Sequence, residues 1–265
     1  MPPIIQIAPL PKSGNKNINM SKSKIEWTGR TWNPVTGCTK YSAGCANCYA
    51  EKMSQRQQGM GNAKYVNGFK LTLHYKALNE PYTWKKPYKV FVCSMSDLFH
   101  KDVPEEFIDK VLAVIGDNHQ HTFQILTKRV ERMATYFKNR AVPSNLWVGV
   151  TVENADVKHR IECLREVATS QRFLSIEPLL GELGDLDLTG ISWIIVGGES
   201  GNCARPMAEL WVLDIKRQAD ANGIPFFFKQ WGSWGSDGIK RGAKANGKLL
   251  QGKIVQNVPE DNATE

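Results

Sequence analysis

Six short apolar runs, each breaking off abruptly into polar or glycine residues, constrain this chain more than any other feature. They are KVFVCSMSD (89–97), TFQILTKR (122–129), NLWVGVTVEN (145–154), RFLSIEPL (172–179), SWIIVGGES (192–200) and PFFFKQWG (225–232). Runs this continuous, rich in β-branched and aromatic residues, suit strands buried on both faces, as in a parallel sheet. Helical periodicity fills the gaps between them. PEEFIDKVLAVIGDN (104–118) has apolar positions at Phe107, Ile108, Val111, Leu112 and Ile115, with a proline at its first turn. VERMATYFKNR (130–140), NADVKHRIECLREVA (154–168) and AELWVLDIKRQADANG (208–223) follow later runs, the last ending in the C-cap signal Asn222-Gly223. Strand starts about 20 to 35 residues apart have the spacing of a βα repeat.

Repeated βα units imply a doubly wound sheet or a (β/α) barrel. The dinucleotide fingerprint G-x-G-x-x-G opens none of these helices: GGESG (197–201) is too short and has Glu199 where that turn needs glycine. Six strands, plus one near a cysteine-rich stretch, predict an α/β fold, a complete or partial (β/α) TIM-type barrel of parallel strands. The barrel domain is expected over 22–235. Residues 1–21, rich in Pro, Asn, Lys and Ser and lacking the apolar region of a signal peptide, read as a disordered leader, with Met20 an alternative start. Residues 236–265 read as a loosely ordered extension with one possible strand in KLLQGKIVQNV (248–258).

In parallel α/β architectures the reactive face lies at the carboxyl ends of the strands. Those ends carry Ser94, Ser96 and Asp97; Thr127, Lys128 and Arg129; Thr151, Glu153 and Asn154; Ser175 and Glu177; Gly197, Gly198, Glu199 and Ser200; and Lys229, Gln230 and Trp231. Any one of them also reads as a solvated loop residue. Glu177, between Ile176 and Pro178, and Lys229, after three phenylalanines, are harder to dismiss. A charge in such apolar sequence must find a partner, and these two are the candidate catalytic residues.

Three of the six cysteines, Cys38, Cys45 and Cys48, cluster in TGCTKYSAGCANCYAEK (36–52) with the spacing C-x6-C-x2-C. Gly37 and Gly44 permit tight turns, so three thiolates can face one soft metal centre. Structural zinc normally takes four closed ligands, and His74 shows no paired spacing with the cluster. Three cysteines with an open position match a 4Fe–4S cluster whose fourth iron binds a small molecule. Structural zinc and three unrelated buried thiols remain the alternatives. Cys93, Cys163 and Cys203 are scattered and read as bystanders. With no signal peptide, the thiols are expected to be reduced and the protein cytoplasmic. No run approaches the length of a membrane-spanning helix, so no membrane association is expected.

A three-cysteine loop leading into a (β/α) barrel resembles the radical S-adenosylmethionine superfamily. More closely, the chain resembles the bacterial and phage three-Cys-motif proteins, which occur with a separate protein partner. The matching stretches are TWNPVTGCTKYSAGCANCYAE, VFVCSMSDLFH, HTFQILTKR, SIEPLLG, IIVGGESG-x3-RPM and PFFFKQWG, together covering roughly residues 22 to 235. The resemblance implies a 4Fe–4S cluster on Cys38, Cys45 and Cys48 whose unique iron takes the amino and carboxylate groups of S-adenosylmethionine. Reduction by a donor such as flavodoxin or ferredoxin would cleave that cofactor to methionine and a 5′-deoxyadenosyl radical, which abstracts a substrate hydrogen. Two departures stand out. The commonest superfamily loop is C-x3-C-x2-C with an aromatic before its last cysteine; here the first gap is longer, Asn47 holds that position and Tyr49 follows. Tyr49 is therefore the candidate for adenine stacking. By strand order, Ser94, Ser96 and Asp97 are expected near the methionine end of the cofactor, and Glu153 near its ribose or the substrate. Gly198 and Glu199 complete the cofactor-binding set.

The substrate is expected to be nucleic acid, through base modification or repair of a damaged base. Lys and Arg number 34 against 26 Asp and Glu, a formal net charge of +8, which suits a polyanion. Trp231 and Trp234 are candidate stacking surfaces, although large aromatics more often pack in a core. Radical modification of a protein or peptide partner and a non-catalytic, metal-stabilised binding module are the competing readings.

Overall fold

The computed structural model describes residues 25–259; the expected leader, 1–21, lies outside them. Seven strands form one sheet: β1 (Arg30–Trp32), β2 (Lys89–Val92), β3 (Thr122–Thr127), β4 (Leu146–Thr151), β5 (Arg172–Ile176), β6 (Trp193–Gly197) and β7 (Phe226–Gln230). Neighbours in the sheet are neighbours in sequence, and every pairing is parallel. All six apolar runs are strands, and the seventh strand lies just before the cysteine loop. β1 and β7 do not pair, so the barrel is partial.

Both faces of the sheet are buried, which explains the near-continuous hydrophobicity of the runs. Val90, Val92, Phe123, Ile125, Val148, Leu174, Ile194 and Phe226 belong to the main core together with residues of the covering helices. These helices are α2 (Glu105–Asp117), α3 (Val130–Phe137), α4 (His159–Arg165) and α5 (Glu209–Ala221), while α1 (Tyr49–Gly59) follows the cysteine loop. α4 is shorter than its periodicity predicts because Asn154 leads first into a 3-10 turn, Ala155–Val157.

The alternate residues form a second, aromatic core of Trp27, Phe91, Trp147, Phe173, Trp193, Ile195 and Phe227. Trp27 lies 4.7 Å from Phe91 on β2, 6.3 Å from Phe173 on β5 and 6.1 Å from Trp193 on β6. In a flat sheet β2 and β5 would stand about 14 Å apart, so one indole can touch both only because the sheet curls around it. Gly149 leaves the room this packing needs, since a Cβ there would lie 2.5 Å from the Phe173 ring.

The free edge of β7 is covered by the C-terminal segment, which removes an unpaired strand edge. That segment carries α6 (Ala243–Asn246) and a hairpin of β8 (Leu249–Leu250) and β9 (Lys253–Ile254). Phe228 N donates to Val255 O at 2.7 Å and Asn257 N to Phe226 O at 3.0 Å. Lys248 Nζ and Gln256 Nε2 both reach the Glu26 carboxylate just before β1, at 3.0 and 2.7 Å. Among the described residues no helix is long and apolar enough to cross a membrane.

Candidate functional site

A cavity of about 410 Å³ opens at the carboxyl ends of the strands. Its deep wall is apolar, built from Ile25, Trp27, Phe91 and Leu126, the upper layer of the aromatic core. Polar strand ends line the remainder: Ser94, Ser96, Asp97, Thr127, Lys128, Arg129, Thr151, Ser175, Glu177, Gly198, Glu199, Ser200, Lys229 and Gln230. The three clustered cysteines and Tyr49 complete the wall. Residues from Cys38 to Gln230 thus converge on one space because parallel strands all end on the same side.

The cysteine loop starts where Gly37 N bonds Met95 O at 3.0 Å, just past the end of β2. Gly37 has φ +79, and a Cβ there would lie 2.2 Å from Lys70 O, so only glycine fits before Cys38. Cys48 is the N-cap of α1, and Tyr49, the first residue of that helix, donates its hydroxyl to Ser94 O at 2.5 Å. Ser94 Oγ in turn donates to Asn33 Oδ1, and Ser96 Oγ to Val35 O. Burial and the negative charge of Asp97 push the Cys38 thiol up, against the opposing pull of Arg129.

Three carboxylates at the strand ends are tied to guanidinium groups. Asp97 accepts from Arg129 Nη1 at 3.1 Å, and the same nitrogen lies 3.6 Å from Cys38 Sγ. Glu153 is fully buried, accepts from Arg160 Nη1 at 2.9 Å and from Gly44 N at 3.1 Å, and also takes the Ser42 hydroxyl. Glu199 accepts from Arg205 Nε at 2.9 Å and Nη2 at 2.6 Å, and from Asn47 Nδ2 at 3.0 Å. Burial alone would raise the last two carboxyls. The Ser42 hydroxyl and Arg160 overcome it at Glu153, and the hydrogen bonds from Arg205 overcome it at Glu199, so both lie below the usual carboxylate range.

Glu177 and Lys229 meet as the sequence required of two charges in apolar surroundings: Lys229 Nζ lies 2.6 Å from Glu177 Oε1, both half-buried at the cavity. Glu153 does not line the cavity but lies beneath the cysteine loop, and Asn154 turns away to Asp156. Trp231 is not a stacking surface. It is 2% exposed, packed on Phe228 and bonded through Nε1 to Leu249 O, because the C-terminal segment closes over it. Trp234 is half-buried and donates to Ala204 O. Cys93 is buried in the cavity wall, where burial pushes its thiol up to about 12. Among the described residues no three His, Cys, Asp or Glu side chains are gathered closely enough to hold a single metal ion. Sequence reasoning did not find Ser42, Asn47, Arg160 or Arg205. The sequence signals that could have found the last and Asn47 are the RPM stretch after GGESG and the polar residue between the last two cysteines.

A family model described as "Protein of unknown function (DUF5131)" matches residues 22–259. The chain belongs to the DUF5131 family. No curated protein matches this member of the family. Its fold is similar to solved structures of spore photoproduct lyase. The complex of that enzyme with dinucleoside spore photoproduct is 13% identical with TM-score 0.46, covering 77% of this chain and 64% of that one. A cysteine-to-alanine mutant of the lyase is 14% identical with TM-score 0.45, covering 70% and 60%. A double mutant of it with bound AdoMet and dinucleoside spore photoproduct is 12% identical with TM-score 0.44, covering 77% and 65%. The DUF5131 chain therefore spans less than two thirds of the length of these proteins.

Proposed function

We propose that this protein is a radical S-adenosylmethionine enzyme that acts on nucleic acid. The observation that carries the reading is the convergence of Cys38, Cys45, Cys48 and Tyr49 with six polar strand ends on one cavity. Three thiols make a soft donor set. Three cysteine thiols on one cavity match the ligand set of a 4Fe–4S cluster with one iron left open to a small molecule.

In this reading Cys38, Cys45 and Cys48 would hold a 4Fe–4S cluster, which would supply one-electron reductive chemistry to bound S-adenosylmethionine. The chain's own residues bind and orient. Tyr49 offers a ring at the wall, fixed by its bond to Ser94 O, and Ser175 and Thr151 present hydroxyls. Trp27, Phe91 and Leu126 keep water from the deep wall. Glu177 and Lys229 form a charge pair able to hold a proton at Nζ or pass it to Oε1. At the cavity Lys128, Arg129 and Lys229 are balanced by Asp97, Glu177 and Glu199, so support for a polyanionic substrate comes from the net charge of +8 over the chain. The electron donor is a separate protein such as flavodoxin or ferredoxin in a reducing, cytoplasmic setting.

Anaerobic reconstitution followed by assay of 5′-deoxyadenosine, with and without DNA, RNA and protein extracts, tests this function. About four irons per chain and product formation on reduction are expected. A chain that binds no iron is a binding module, and stimulation by protein alone points to a peptide substrate. Nucleic-acid affinity should fall steeply with salt; flat, weak binding at low salt refutes the substrate class.

A further inference from the structure

The cysteine loop is gripped at three places by the three carboxylate–guanidinium pairs, each rooted at different strand ends. The pair after β2 and β3, Asp97–Arg129, holds its beginning: Arg129 Nη2 donates to Thr39 O at 3.0 Å and Thr39 Oγ1 at 3.1 Å, while Nη1 faces the Cys38 sulfur. The pair after β4, Glu153–Arg160, holds its middle through the Gly44 amide and the Ser42 hydroxyl. The pair after β6, Glu199–Arg205, holds the middle and the far end: Arg205 Nη2 donates to Ala43 O at 3.0 Å, and Asn47 Nδ2 divides its two hydrogens between Glu199, at 3.0 Å, and Cys203 O, at 2.8 Å. A Cβ at Gly44 would lie 3.2 Å from the Glu153 carboxylate, close enough that the carboxylate would have to shift.

Backbone structure fixes the two ends of the loop, where Cys38 N donates to Phe69 O at 3.2 Å and Cys48 caps α1. Between Cys38 and Cys48 there is only a three-residue 3-10 turn, Ala43–Cys45, with no buried residue. The stretch between those ends is held by side chains from the barrel, at Thr39, Ser42, Ala43, Gly44 and Asn47.

We infer that Arg129, Arg160 and Arg205, each with its carboxylate partner, are positioning residues that preorganise the three cysteines for their metal centre before any metal binds. This rests on the proposed cluster for the purpose of the grip, but the grip itself is a property of the metal-free chain. Arg129 and Arg205 each bond a carboxylate and the loop at once, while Arg160 holds the Glu153 carboxylate that takes the loop's Gly44 amide; a lysine ammonium keeps the charge and loses the fork geometry.

The test compares Arg129→Lys, Arg160→Lys and Arg205→Lys with the wild-type chain. Amide hydrogen exchange of the metal-free proteins is followed over 38–47, with β3 to β6 as the internal reference. Although the substitutions sit after different strands, at the N-cap of α3, on α4 and in the loop before α5, each is expected to speed exchange in the same segment at least tenfold and leave the reference strands unchanged. Iron content after reconstitution, measured beside the visible absorption of the product, should fall by half or more. If Arg160→Lys, the most buried, does not fold, Glu199→Gln and Arg205→Lys carry the test at the most exposed pair. Unchanged exchange over 38–47, or acceleration spread equally through the strands, overturns the inference. A wild-type chain that takes up no iron but shows the local exchange effect refutes the cluster and leaves the grip standing.

Discussion

Glu153→Gln is the most exacting single test of the site's electrostatics. Glu153 is fully buried and its partner Arg160 is 2% exposed. The amide keeps an oxygen for Gly44 N and Ser42 but leaves a buried guanidinium with no counter-charge. Arg160 retains only Thr151 O, at 2.7 Å, and its Nε already has no partner. Removing one member of a buried ion pair costs about 3–5 kcal/mol, and for a chain of this size about 2–4 °C of thermal midpoint per kcal/mol, so a fall of about 6–20 °C is expected. The pH dependence fixes the sign. The folded carboxyl titrates below its usual 4.5, so its contribution is fully present above pH 4.5 and is lost as pH falls through the depressed folded value. The gap between wild type and variant should thus be constant from pH 7 down to 5 and close below that. Calorimetry across this range is the assay. A midpoint change of less than about 3 °C at pH 7, or a gap that widens in acid, would refute the reasoning. Replacing both partners by apolar residues, Glu153→Leu with Arg160→Met, should recover most of the stability while leaving the Gly44 amide without its acceptor.

The other expectations are more local. Cys38→Ala, Cys45→Ala and Cys48→Ala should each abolish iron uptake, whereas Cys163→Ala and Cys203→Ala should leave it unchanged, as read by iron analysis of reconstituted protein. Gly37→Ala forces a side chain into φ +79 and onto Lys70 O; a loss of about 1–3 kcal/mol in denaturant unfolding is expected from the strain. Lys229→Met should leave iron content intact and slow turnover at least about 100-fold, the lower end of what a positioned acid–base group contributes. Turnover within a few-fold of wild type would remove the pair from the chemistry.

Much of the fold was legible because its cause is local in sequence. A strand buried on both faces must be apolar throughout, so six of the seven sheet strands announced themselves, and their parallel direction followed from the helices between them. The three-residue β1, Arg30–Trp32, carries too little pattern to be placed by itself. The site was legible to the same depth: polar residues at strand ends must face one side, and the pairing of Glu177 with Lys229 answered the need of two charges in apolar sequence. What escaped was what acts across the sheet. Glu153 looked like a ligand-facing strand end and is instead buried under the loop, because Arg160 and Gly44 claim its oxygens. Trp231 looked available and is sealed by a segment from beyond residue 245.

The sequence by itself determined a parallel βα repeat, the side on which its polar ends gather, and three cysteines within eleven residues of chain, since these depend on periodicity and short spacing. Only the tertiary structure decided that the barrel stays open between β1 and β7, that the sheet curls around Trp27, and that Arg129, Glu153 and Arg205 hold the cysteine loop. Those outcomes depend on which side chains meet across more than a hundred residues of chain, such as Arg205 with Ala43, and no local pattern encodes such a meeting.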